Sequence, residues 1–484
     1  MDHPEYEAVI GLEVHAELKT ESKIFCSCRT AFGAEPNTQC CPVCMGLPGS
    51  LPRLNRSAVA LAIRAGLALE CQIAPRSKFD RKQYFYPDLP KAYQISQNKY
   101  PLCKNGCLRI RTAAGTRRIR ITRIHMEEDA GKLIHDSMGT LIDYNRSGVG
   151  LIEIVSAPDL RSGEEASAYL RALRGILVTA GVSDCRMQEG SMRCDINLSL
   201  RKKGEEALGA RTEIKNVNSF AFAEKAIQYE ILRQSELLSR GECVESETRR
   251  FDAALGRTVR MRKKESAEDY RFLAEPNLPV LCVTEEDLAP IRAAMPELPE
   301  ARRERLCRQY GIAEADAAIL TAEPALADYF EESAGHCADA VKLSHFLLGE
   351  LLRYCRSDPF HSPVSALRLA ELVSLWCEER INGTTAKRLL ARLTETDFSP
   401  EEIAAREDLM QIRDRDRLCD MVGRVLADSP QAVADYRNGK RAALRSLQGR
   451  LMALSGGRAD PVLGESILLE MLSEREEEKE RVFE

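Results

Sequence analysis

The stretch at residues 10–20 (IGLEVHAELKT) alternates strictly between apolar and polar side chains. The apolar side consists of Leu12, Val14, Ala16 and Leu18, and the polar side of Glu13, His15 and Glu17. A period of two predicts a β-strand with one buried face. Two carboxylates beside an imidazole suit either a solvated edge or one wall of a metal or phosphate site. The rest of the chain must distinguish these interpretations.

Strands and helices are mixed up to about residue 295. Alternating patterns predict further strands at 118–124, 151–155, 195–200 and 211–215, and amphipathic patterns predict helices at 162–181 and 220–238. Regular βαβ spacing is missing, which favours an α+β fold with an antiparallel sheet. Proline-rich segments at 275–279 and 295–299 precede a nearly all-helical region, and residues 397–400 suggest a second break. We therefore predict domains at 1–295, 296–400 and 401–484, the last two all-α.

Composition limits the class of protein. Of the 484 residues, 44% are hydrophobic and 30% are charged, and no run of 18 apolar residues suggests a membrane span. The first residues lack a basic start, so we expect no signal or transit peptide and a cytoplasmic protein. The net charge of −5 gives no global case for nucleic-acid binding. Two acid-free basic stretches, at 89–126 and 436–459, suit local docking of a polyanion, with ordinary solvated faces an equal alternative.

The 17 cysteines are mostly dispersed, which indicates reduced thiols rather than a disulfide framework. One cluster, within residues 24–46, pairs Cys26-x-Cys28 with Cys41-x-x-Cys44. This spacing predicts a closed, structural Zn²⁺ site with four thiolate ligands. Cys40 could replace Cys41, and a cluster of free thiols is the alternative.

Acidic residues recur on four predicted strands. They are Glu13, Glu127, Glu128, Asp129, Asp195 and Glu213. If these strands share a sheet, the carboxylates can converge to hold Mg²⁺ with substrate phosphates, although each acid alone is more often solvated. No P-loop and no Rossmann fingerprint is present. The tyrosine- and lysine-rich stretch at 81–93 suits stacking on a base or ribose, or a loop packed by its own tyrosines.

Several blocks identify a resemblance. IGLEVHAELKTESKIF, SKFDRKQYFYPDLPKAYQISQ, TRIHMEEDAGKLIHD, EGSMRCDINLSLR, EIKNVNSF and YRNGK closely resemble the GatB family, the B subunits of tRNA-dependent glutamyl/aspartyl amidotransferases. The similarity runs from about Tyr6 to about Leu472. The archaeal relative GatE shares the first domain but carries a large insertion, for which this chain has little room.

The resemblance implies a reaction and its partners. ATP phosphorylates the side-chain carboxylate of Glu-tRNA(Gln) or Asp-tRNA(Asn), and ammonia from glutamine displaces the phosphate. The resemblance also implies a heterotrimer in which the other two chains are an amidase, called the A subunit, and a small C subunit. It implies a catalytic cradle domain, a helical domain, and a tail domain that grips tRNA.

Site residues follow by position in the matching motifs. The implied catalytic residues are Glu13, His15, Glu128, Asp195, Glu213 and Lys215, of which His15, Glu128, Glu13 and Glu213 would hold Mg²⁺. The candidates for the nucleotide or the aminoacyl end are Tyr84, Lys91, Tyr93 and Arg193, and those for tRNA in the tail are Arg437, Lys440, Arg441 and Arg445. Arg193 and Lys215 are also candidates for stabilising phosphate charge. The alternative is a non-catalytic tRNA-binding module with a structural zinc.

Overall fold

The computed structural model describes residues 5–137, 139–263, 270–357 and 360–482. The chain divides into two compact units, and the boundary falls after Arg302. No described helix is both long enough and apolar enough to cross a bilayer.

The first unit contains most of the strands. They are β1 (Tyr6–Glu17), β2 (Gln72–Ile73), β3 (Arg76–Ser77), β4 (Asp80–Gln83), β5 (Tyr93–Ser96), β6 (Cys103–Thr112), β7 (Gly115–Glu128), β8 (Lys132–Asp136), β9 (Gly139–Asp143), β10 (Gly150–Ser156), β11 (Met192–Lys202), β12 (Thr212–Val217), β13 (Glu247–Asp252), β14 (Arg257–Lys263), β15 (Leu273–Ala274) and β16 (Leu281–Cys282). Its helices are α1 (Arg56–Ala68), α2 (Gly163–Thr179), α3 (Phe220–Ser239) and α4 (Glu285–Ala293). Helix α5 (Pro299–Tyr310) spans the boundary.

Nine strands form one sheet, in the order β14-β13-β12-β11-β1-β10-β7-β6-β2. Neighbouring strands in it are antiparallel except for β12 and β13, which are parallel. The exception has a topological cause, because α3 connects these two strands and returns the chain to the same end of the sheet. The predicted α+β fold is confirmed, with a mixed sheet in place of a purely antiparallel one.

Strand β1 lies in the middle of this sheet, and the apolar side chains on one of its faces are buried from Ala8 to Ala16. Leu12, Val14 and Ala16 are at most 1% exposed. Helices α2 and α3 cover that side of the sheet, and their buried residues join the same core. Both begin at a serine whose side chain accepts a hydrogen bond from the first turn, Ser162 for α2 and Ser219 for α3. The opposite side of β1 is therefore left for polar residues.

The second unit is helical apart from the two-residue strands β17 (Arg356–Ser357) and β18 (Phe360–His361) among its described residues. Its helices after α5 are α6 (Glu314–Leu320), α7 (Pro324–Ala334), α8 (Ala340–Gly349), a 3-10 turn (Leu351–Tyr354), α9 (Ala366–Cys377), α10 (Gly383–Leu393), α11 (Pro400–Arg406), α12 (Arg415–Ala427), α13 (Pro430–Arg437), α14 (Ala442–Leu454) and α15 (Pro461–Val482). They bury two hydrophobic clusters, one within residues 306–409 and one within 412–472. The predicted domain limits at 295 and 400 stay predictions.

Candidate active site

Strand register gathers the polar residues of the sheet into rows. His15 on β1 lies directly opposite Glu153 on β10, and Glu153 lies opposite His125 on β7. One step along β1, Glu13 lies opposite Asp195 on β11. Directly opposed residues on neighbouring strands have side chains on the same face. The alternation of each strand and the pairing of neighbouring strands thus build one polar surface.

The first group on this surface contains one imidazole and two carboxylates. His15 Nε2 is 3.2 Å from Glu153 Oε2 and 3.4 Å from Glu127 Oε1. One donor atom from each of the three residues lies within 4.8 Å of the others. His125 Nε2 completes the cluster at 3.5 Å from Glu153 Oε2. We call His15, Glu127 and Glu153 the histidine triad.

Electrostatics of the histidine triad are dominated by its carboxylates. Burial alone would lower the pKa of His15, but the hydrogen bond to Glu153 and the charges of Glu153 and Glu127 raise it to about 9. Burial would likewise raise the pKa of both carboxyls, yet His125 and His15 hold the pKa of Glu127 and of Glu153 below the usual range. The triad thus concentrates negative charge that a cation stabilises.

A second group, the carboxylate triad, consists of Glu13, Asp195 and Glu213, which also offer oxygens within 4.8 Å of one another. Lys215 Nζ lies between two of them, 2.9 Å from Asp195 Oδ2 and 3.6 Å from Glu213 Oε1. Burial opposes the charge on Lys215, but these carboxylates raise the pKa of its ammonium group. Asn197 donates to Glu13 Oε1 at 2.9 Å, which fixes that carboxylate.

Both triads line one cleft of about 380 Å³. Its other walls carry three cations, Lys82, Arg123 and Arg211, and the aromatic rings of Tyr270 and Phe272. Lys82 Nζ lies over the Tyr270 ring, 4.9 Å from its centroid. A cleft with clustered carboxylates, several cations and an aromatic edge has the chemistry to bind metal ions together with phosphates.

The prediction from motif positions grouped Glu128 with His15, and the structure does not bring these residues together. Glu128 points to the other face of β7, where its carboxylate bonds Lys91 Nζ at 2.5 Å and accepts from the Ile95 backbone N–H at 2.8 Å. Its neighbour Glu127 takes the place beside His15. The physical reason is the strand period of two, which gives adjacent residues opposite faces.

Several residues that line the cleft were not predicted as site residues, among them Glu153, Lys82 and Arg211. The sequence did contain a signal for Glu153, because it is the single acid in an otherwise apolar buried strand. Glu127 also had a signal, since it shares its strand parity with His125. Lys82 belongs to the tyrosine- and lysine-rich stretch at 81–93, which was a candidate as a whole, whereas no pattern singled out Arg211.

The candidates for the nucleotide or aminoacyl end lie in different places. Lys91 and Tyr93 line a second, small cavity on the Glu128 side of β7. Tyr84 packs edge-on against Tyr270, whose ring lines the cleft. Arg193 lies opposite His15 in register, but its guanidinium bonds Asp129 at 2.5 Å. Arg193 thus stands beside the triads without lining the cleft.

The cysteine cluster has the geometry of a thiolate metal site. Cys26, Cys28, Cys41 and Cys44 offer sulfurs within 4.8 Å of one another, and Cys41 Sγ is 3.9 Å from Cys44 Sγ. Sulfurs bound at 2.3 Å around a tetrahedral Zn²⁺ stand roughly 3.8 Å apart. The cluster could therefore bind a metal such as zinc. Cys40 stands outside it, 3.9 Å from Asn145 Oδ1.

The proton affinities of the cysteines reflect their crowding. A hydrogen bond from Cys26 and another from the backbone of Cys41 lower the pKa of Cys44 to about 4, against the effect of burial. Burial and a hydrogen bond with the side chain of Cys41 raise the pKa of Cys28 to about 11. Lys23 Nζ, on a fully buried side chain, is 3.6 Å from Cys44 Sγ. A buried cation beside a thiolate favours the charged form that ligates metals.

Most of the basic residues in the first basic stretch, at 89–126, form ion pairs. Arg120 bonds Asp159 at 2.7 Å, Arg117 bonds Glu165, and Arg109 and Arg111 both reach Glu300. Strands β6 and β7 therefore present ion pairs here. For these arginines the ion pairs favour an ordinary solvated face over a patch that docks a polyanion.

The tail candidates lie around the turn between α13 and α14. Arg437 ends α13, Lys440 bonds Asp435 at 2.9 Å within the turn, and Arg441 and Arg445 are exposed at the start of α14. The structure thus brings all four together on one short segment. Their role in binding tRNA stays a prediction.

Two family matches cover most of this architecture. Residues 8–289, which contain the sheet and both triads, match the GatB/GatE catalytic domain, and residues 328–472 match the GatB domain. Curated relatives extend the match over nearly the whole chain. The chain is 50% identical over 476 residues to a protein of Caldicellulosiruptor saccharolyticus, covering 97% of this chain and 99% of that one.

Relatives from other bacteria carry the same description. The chain is 48% identical to a protein of Carboxydothermus hydrogenoformans over 97% of its length, and 46% identical to one of Clostridium tetani over 96%. These matches cover 99% and 98% of the relatives. All three are described as the B subunit of an aspartyl/glutamyl-tRNA(Asn/Gln) amidotransferase. The fold and the matches thus define a protein of the GatB/GatE class. Within that class the chain belongs to the GatB family, the B subunits of this amidotransferase.

Proposed function

We propose that this chain carries the ATP-dependent step of tRNA amidation. The side-chain carboxylate of Glu-tRNA(Gln) or Asp-tRNA(Asn) attacks the γ-phosphorus of ATP, which gives an acyl phosphate and ADP. Ammonia then attacks the acyl carbon, and inorganic phosphate leaves as the amide forms. The proposed donor of ammonia is glutamine, hydrolysed on a separate amidase chain (the A subunit), and a small C subunit completes the heterotrimer. Cytoplasmic location is part of the same proposal.

The observation that carries this proposal is the pairing of two acid-rich triads in one cleft. Their donor chemistry fits Mg²⁺: the carboxylate triad offers only oxygens, and the histidine triad offers two carboxylates and one imidazole. The proposed ligands are therefore His15, Glu127 and Glu153 in one place and Glu13, Asp195 and Glu213 in the other. Bound Mg²⁺ would neutralise charge between the phosphates and the attacking carboxylate.

The cations of the cleft are proposed to hold the phosphates. Lys215 Nζ is held between Asp195 and Glu213, and its positive charge would stabilise the phosphate that is transferred. Arg211 and Arg123 line the same cleft from other elements. Fixed donors aimed at developing charge lower a barrier because they need no reorganisation during the reaction.

Two further parts of the proposal concern other surfaces. The cysteine cluster would hold a closed Zn²⁺ that stabilises residues 24–46, with no open position for substrate. The segment from Arg437 to Arg445 would contact the phosphates of tRNA. Four basic residues on one short segment, of which Lys440, Arg441 and Arg445 are exposed, support this role. Phosphate contacts from Lys and Arg dominate the affinity for nucleic acid.

The proposal is tested in the complex reconstituted with its partner chains. Phosphate release is followed with ATP, Mg²⁺ and each mischarged tRNA, for the wild type, Glu153→Gln and His15→Ala. We expect both variants to lose the ATP- and tRNA-dependent release while the complex assembles and still hydrolyses glutamine. Glu300→Gln makes the same chemical change at a surface ion pair and serves as the matched control.

The alternative, a non-catalytic tRNA-binding module with structural zinc, predicts another result. Such a module binds tRNA without consuming ATP itself, so neither variant would change ATP consumption. If the single variants Glu153→Gln and His15→Ala both retain full activity, the catalytic proposal is wrong.

A further inference from the structure

The segment between β9 and β10, residues 144–149, lies between the cysteine cluster and the end of β7 that carries Glu127 and Glu128. We call it the bridging loop. It forms neither helix nor strand, so contacts with neighbouring segments must help to fix its conformation. None of its residues lines the cleft that holds the two triads. Any effect of the bridging loop on that cleft must therefore act through other residues.

On one side, two asparagines join the bridging loop to the cysteine-rich element at 24–46. Asn37 Oδ1 accepts a hydrogen bond from the Tyr144 backbone N–H at 2.8 Å. Asn145 Oδ1 accepts one from the Gln39 backbone N–H at 2.8 Å, and Asn145 Nδ2 donates to Glu35 O at 2.7 Å. Each segment thus contributes an amide side chain that bonds the backbone of the other, which fixes their relative position.

A second contact joins the bridging loop to a predicted metal ligand. Gly148 has a φ of +84°, and a Cβ at this position would stand 3.3 Å from Cys44 Cβ. The Ile24 backbone N–H donates to Gly148 O at 3.1 Å. Lys23 Nζ lies 3.6 Å from Cys44 Sγ and 3.4 Å from Tyr144 O. Because the loop packs directly on Cys44, a metal that fixes this cysteine also restricts the loop.

On the other side, the bridging loop holds the end of β7 through Arg146. Arg146 Nε donates to Ala130 O at 3.1 Å, and Arg146 Nη2 donates to Gly131 O at 2.9 Å. Arg146 Nε is also 3.4 Å from Asp129 Oδ2. Two backbone hydrogen bonds, of 2.8 and 2.9 Å, join the loop to Asp129 as well. Because a guanidinium presents its donors in a rigid fork, this one side chain contacts three consecutive residues in a fixed arrangement.

Asp129 connects these contacts to the histidine triad. Its carboxylate is buried and bonds Arg193 Nη2 at 2.5 Å, and Arg193 lies directly opposite His15 in the sheet. Asp129 also follows Glu127 by two residues along the chain. Loss of Arg146 would remove a cation from Asp129 and loosen the end of β7, so that Glu127 and His15 would be held less firmly. Residues that orient a metal ligand affect metal affinity although they do not touch the ion.

We propose that Arg146 is a positioning residue and that the bridging loop couples metal binding at the cysteine cluster to Mg²⁺ binding at the histidine triad. This inference rests on the proposed function, because it uses both proposed metal sites. It adds a physical link between them: zinc holds the cysteine-rich element, that element holds the loop, and Arg146 holds the end of β7. Such coupling is reciprocal, so bound Mg²⁺ should also raise the affinity for zinc.

The test measures Mg²⁺ affinity by calorimetry on the reconstituted complex, with zinc content determined on the same samples. Arg146→Met keeps an apolar stem and removes the guanidinium. Asn37→Gly removes one of the two amides, and glycine accepts the φ of 62° at this position. We expect the Mg²⁺ affinity to fall about tenfold in Arg146→Met and about threefold in Asn37→Gly, with zinc retained in both. Removing zinc from the wild type with a chelator should also lower the Mg²⁺ affinity about tenfold, and added zinc should restore it.

Asn105→Gly is the matched control for Asn37→Gly. Asn105 is also exposed and also has a positive φ, of 54°. Its side chain donates to Gln72 Oε1 at 3.2 Å, at the edge of the sheet formed by β2. This variant makes the same chemical change away from the bridging loop, and it should bind Mg²⁺ as the wild type does.

The combination of zinc removal with Arg146→Met tests the link itself. Since both changes act on one connection, together they should lower the Mg²⁺ affinity no further than either does alone. Additive losses overturn the inference, and so does an unchanged Mg²⁺ affinity after zinc removal, in Asn37→Gly or in folded Arg146→Met. A fall in thermal stability without a fall in Mg²⁺ affinity would show that the loop has only a structural role. A wild-type complex that binds no zinc or no Mg²⁺ instead contradicts the proposed metal sites, and the coupling with them.

Discussion

Two regions of the first unit bury carboxylates but neutralise them with different kinds of partner. Glu230 on α3 is fully buried, and its carboxylate accepts hydrogen bonds from Arg233, Gln234 and Thr258, with Arg249 3.6 Å away. In the histidine triad, Glu127 and Glu153 are also buried, but their ion-pair partners among the described residues are histidines.

This comparison distinguishes a carboxylate that stabilises the fold, Glu230, from the carboxylates of the histidine triad, which are available to bind a cation. Around Glu230 permanent cations and donors satisfy the carboxylate within the protein, so the network needs nothing from outside. In the cleft the neutralising partner is a proton on an imidazole, and the pKa of His15, raised to about 9, reflects the surplus of negative charge. Burial of an acid is common to both regions. The kind of partner distinguishes them.

The largest expected effect comes from Glu153→Gln. Removing one charge from the histidine triad should lower ATP-dependent phosphate release by about 10³-fold, because the triad then loses a metal ligand and much of its electrostatic stabilisation. Mg²⁺ affinity, measured by calorimetry, should fall as well, and the thermal midpoint should stay within a few degrees of wild type. A normal rate at saturating Mg²⁺ would show that the triad resembles the Glu230 network.

The cysteine cluster extends the comparison, since four thiols there have Lys23 as their nearby cation. Cys41→Ser should abolish tight Zn²⁺ binding because a hydroxyl is a poor replacement for a thiolate ligand. Cys40→Ser should retain one zinc per chain, because Cys40 stands outside the group. Metal content of the purified proteins, by elemental analysis, checks both. Retention in Cys41→Ser with loss in Cys40→Ser would reverse the assignment.

Breaking the Glu230 network should affect stability and spare chemistry. Glu230→Ala removes the acceptor of Gln234 and Thr258 and leaves the half-buried Arg233 and Arg249 with Glu247 as their shared carboxylate. The free energy of unfolding should fall by about 1–3 kcal/mol. Urea denaturation of the chain measures the loss. Below the melting temperature, phosphate release by the folded complex should match wild type. A stable but inactive variant would place Glu230 in the functional class.

The smallest effect is expected at the exposed ion pair of β7. The Arg120 guanidinium and backbone N–H hold the pKa of Asp159 below its usual range. A carboxyl with a depressed pKa in the folded state stabilises the protein at neutral pH, and this contribution is lost as the pH falls below about 4. Asp159→Asn should therefore cost about 1 kcal/mol or less at pH 7. The difference in denaturation midpoint from wild type should narrow as the pH falls below about 4, and a constant difference would contradict the assignment to charge.

Much of the fold was predictable because its periodicities are local. The alternating stretch at 10–20 predicted the strand β1, which runs from Tyr6 to Glu17. The helices α2 and α3 and the change to helices near residue 300 likewise follow from patterns within a few residues of sequence. The parallel pairing of β12 and β13 was not predictable in this way. It depends on where α3 returns the chain, which no local pattern records.

The candidate site was predictable in its residue types and only partly in its grouping. Glu13, His15, Asp195 and Glu213 lie on one face as their strand positions suggested. Register could not be read from the sequence, so the separation into two triads and the turn of Arg193 toward Asp129 emerged only in three dimensions. Motif similarity identified the conspicuous run of acids on β7 but did not say which of them faces His15.

A small irregularity in β7 explains that choice. Ile119 and Ile121 are buried at odd positions, whereas Ile124 and Met126 are buried at even ones, so the alternation slips between them. The pairing with β10 shifts at the same place, where Val155 opposes Arg123 and Ser156 opposes Ile121. Thr122 is the extra residue of a β-bulge.

The adjacent carboxylates of β7 lie on opposite faces of the strand. The bulge determines that Glu127 faces the triads and Glu128 faces Lys91. Deleting Thr122, or inserting one residue after Ile124, would turn Glu128 toward the cleft and Glu127 toward Lys91, although neither acid would be replaced. The segment 122–128 should consequently tolerate many conservative replacements and almost no change in length. In this strand the number of residues determines which acid faces the triads, as much as the residue types do.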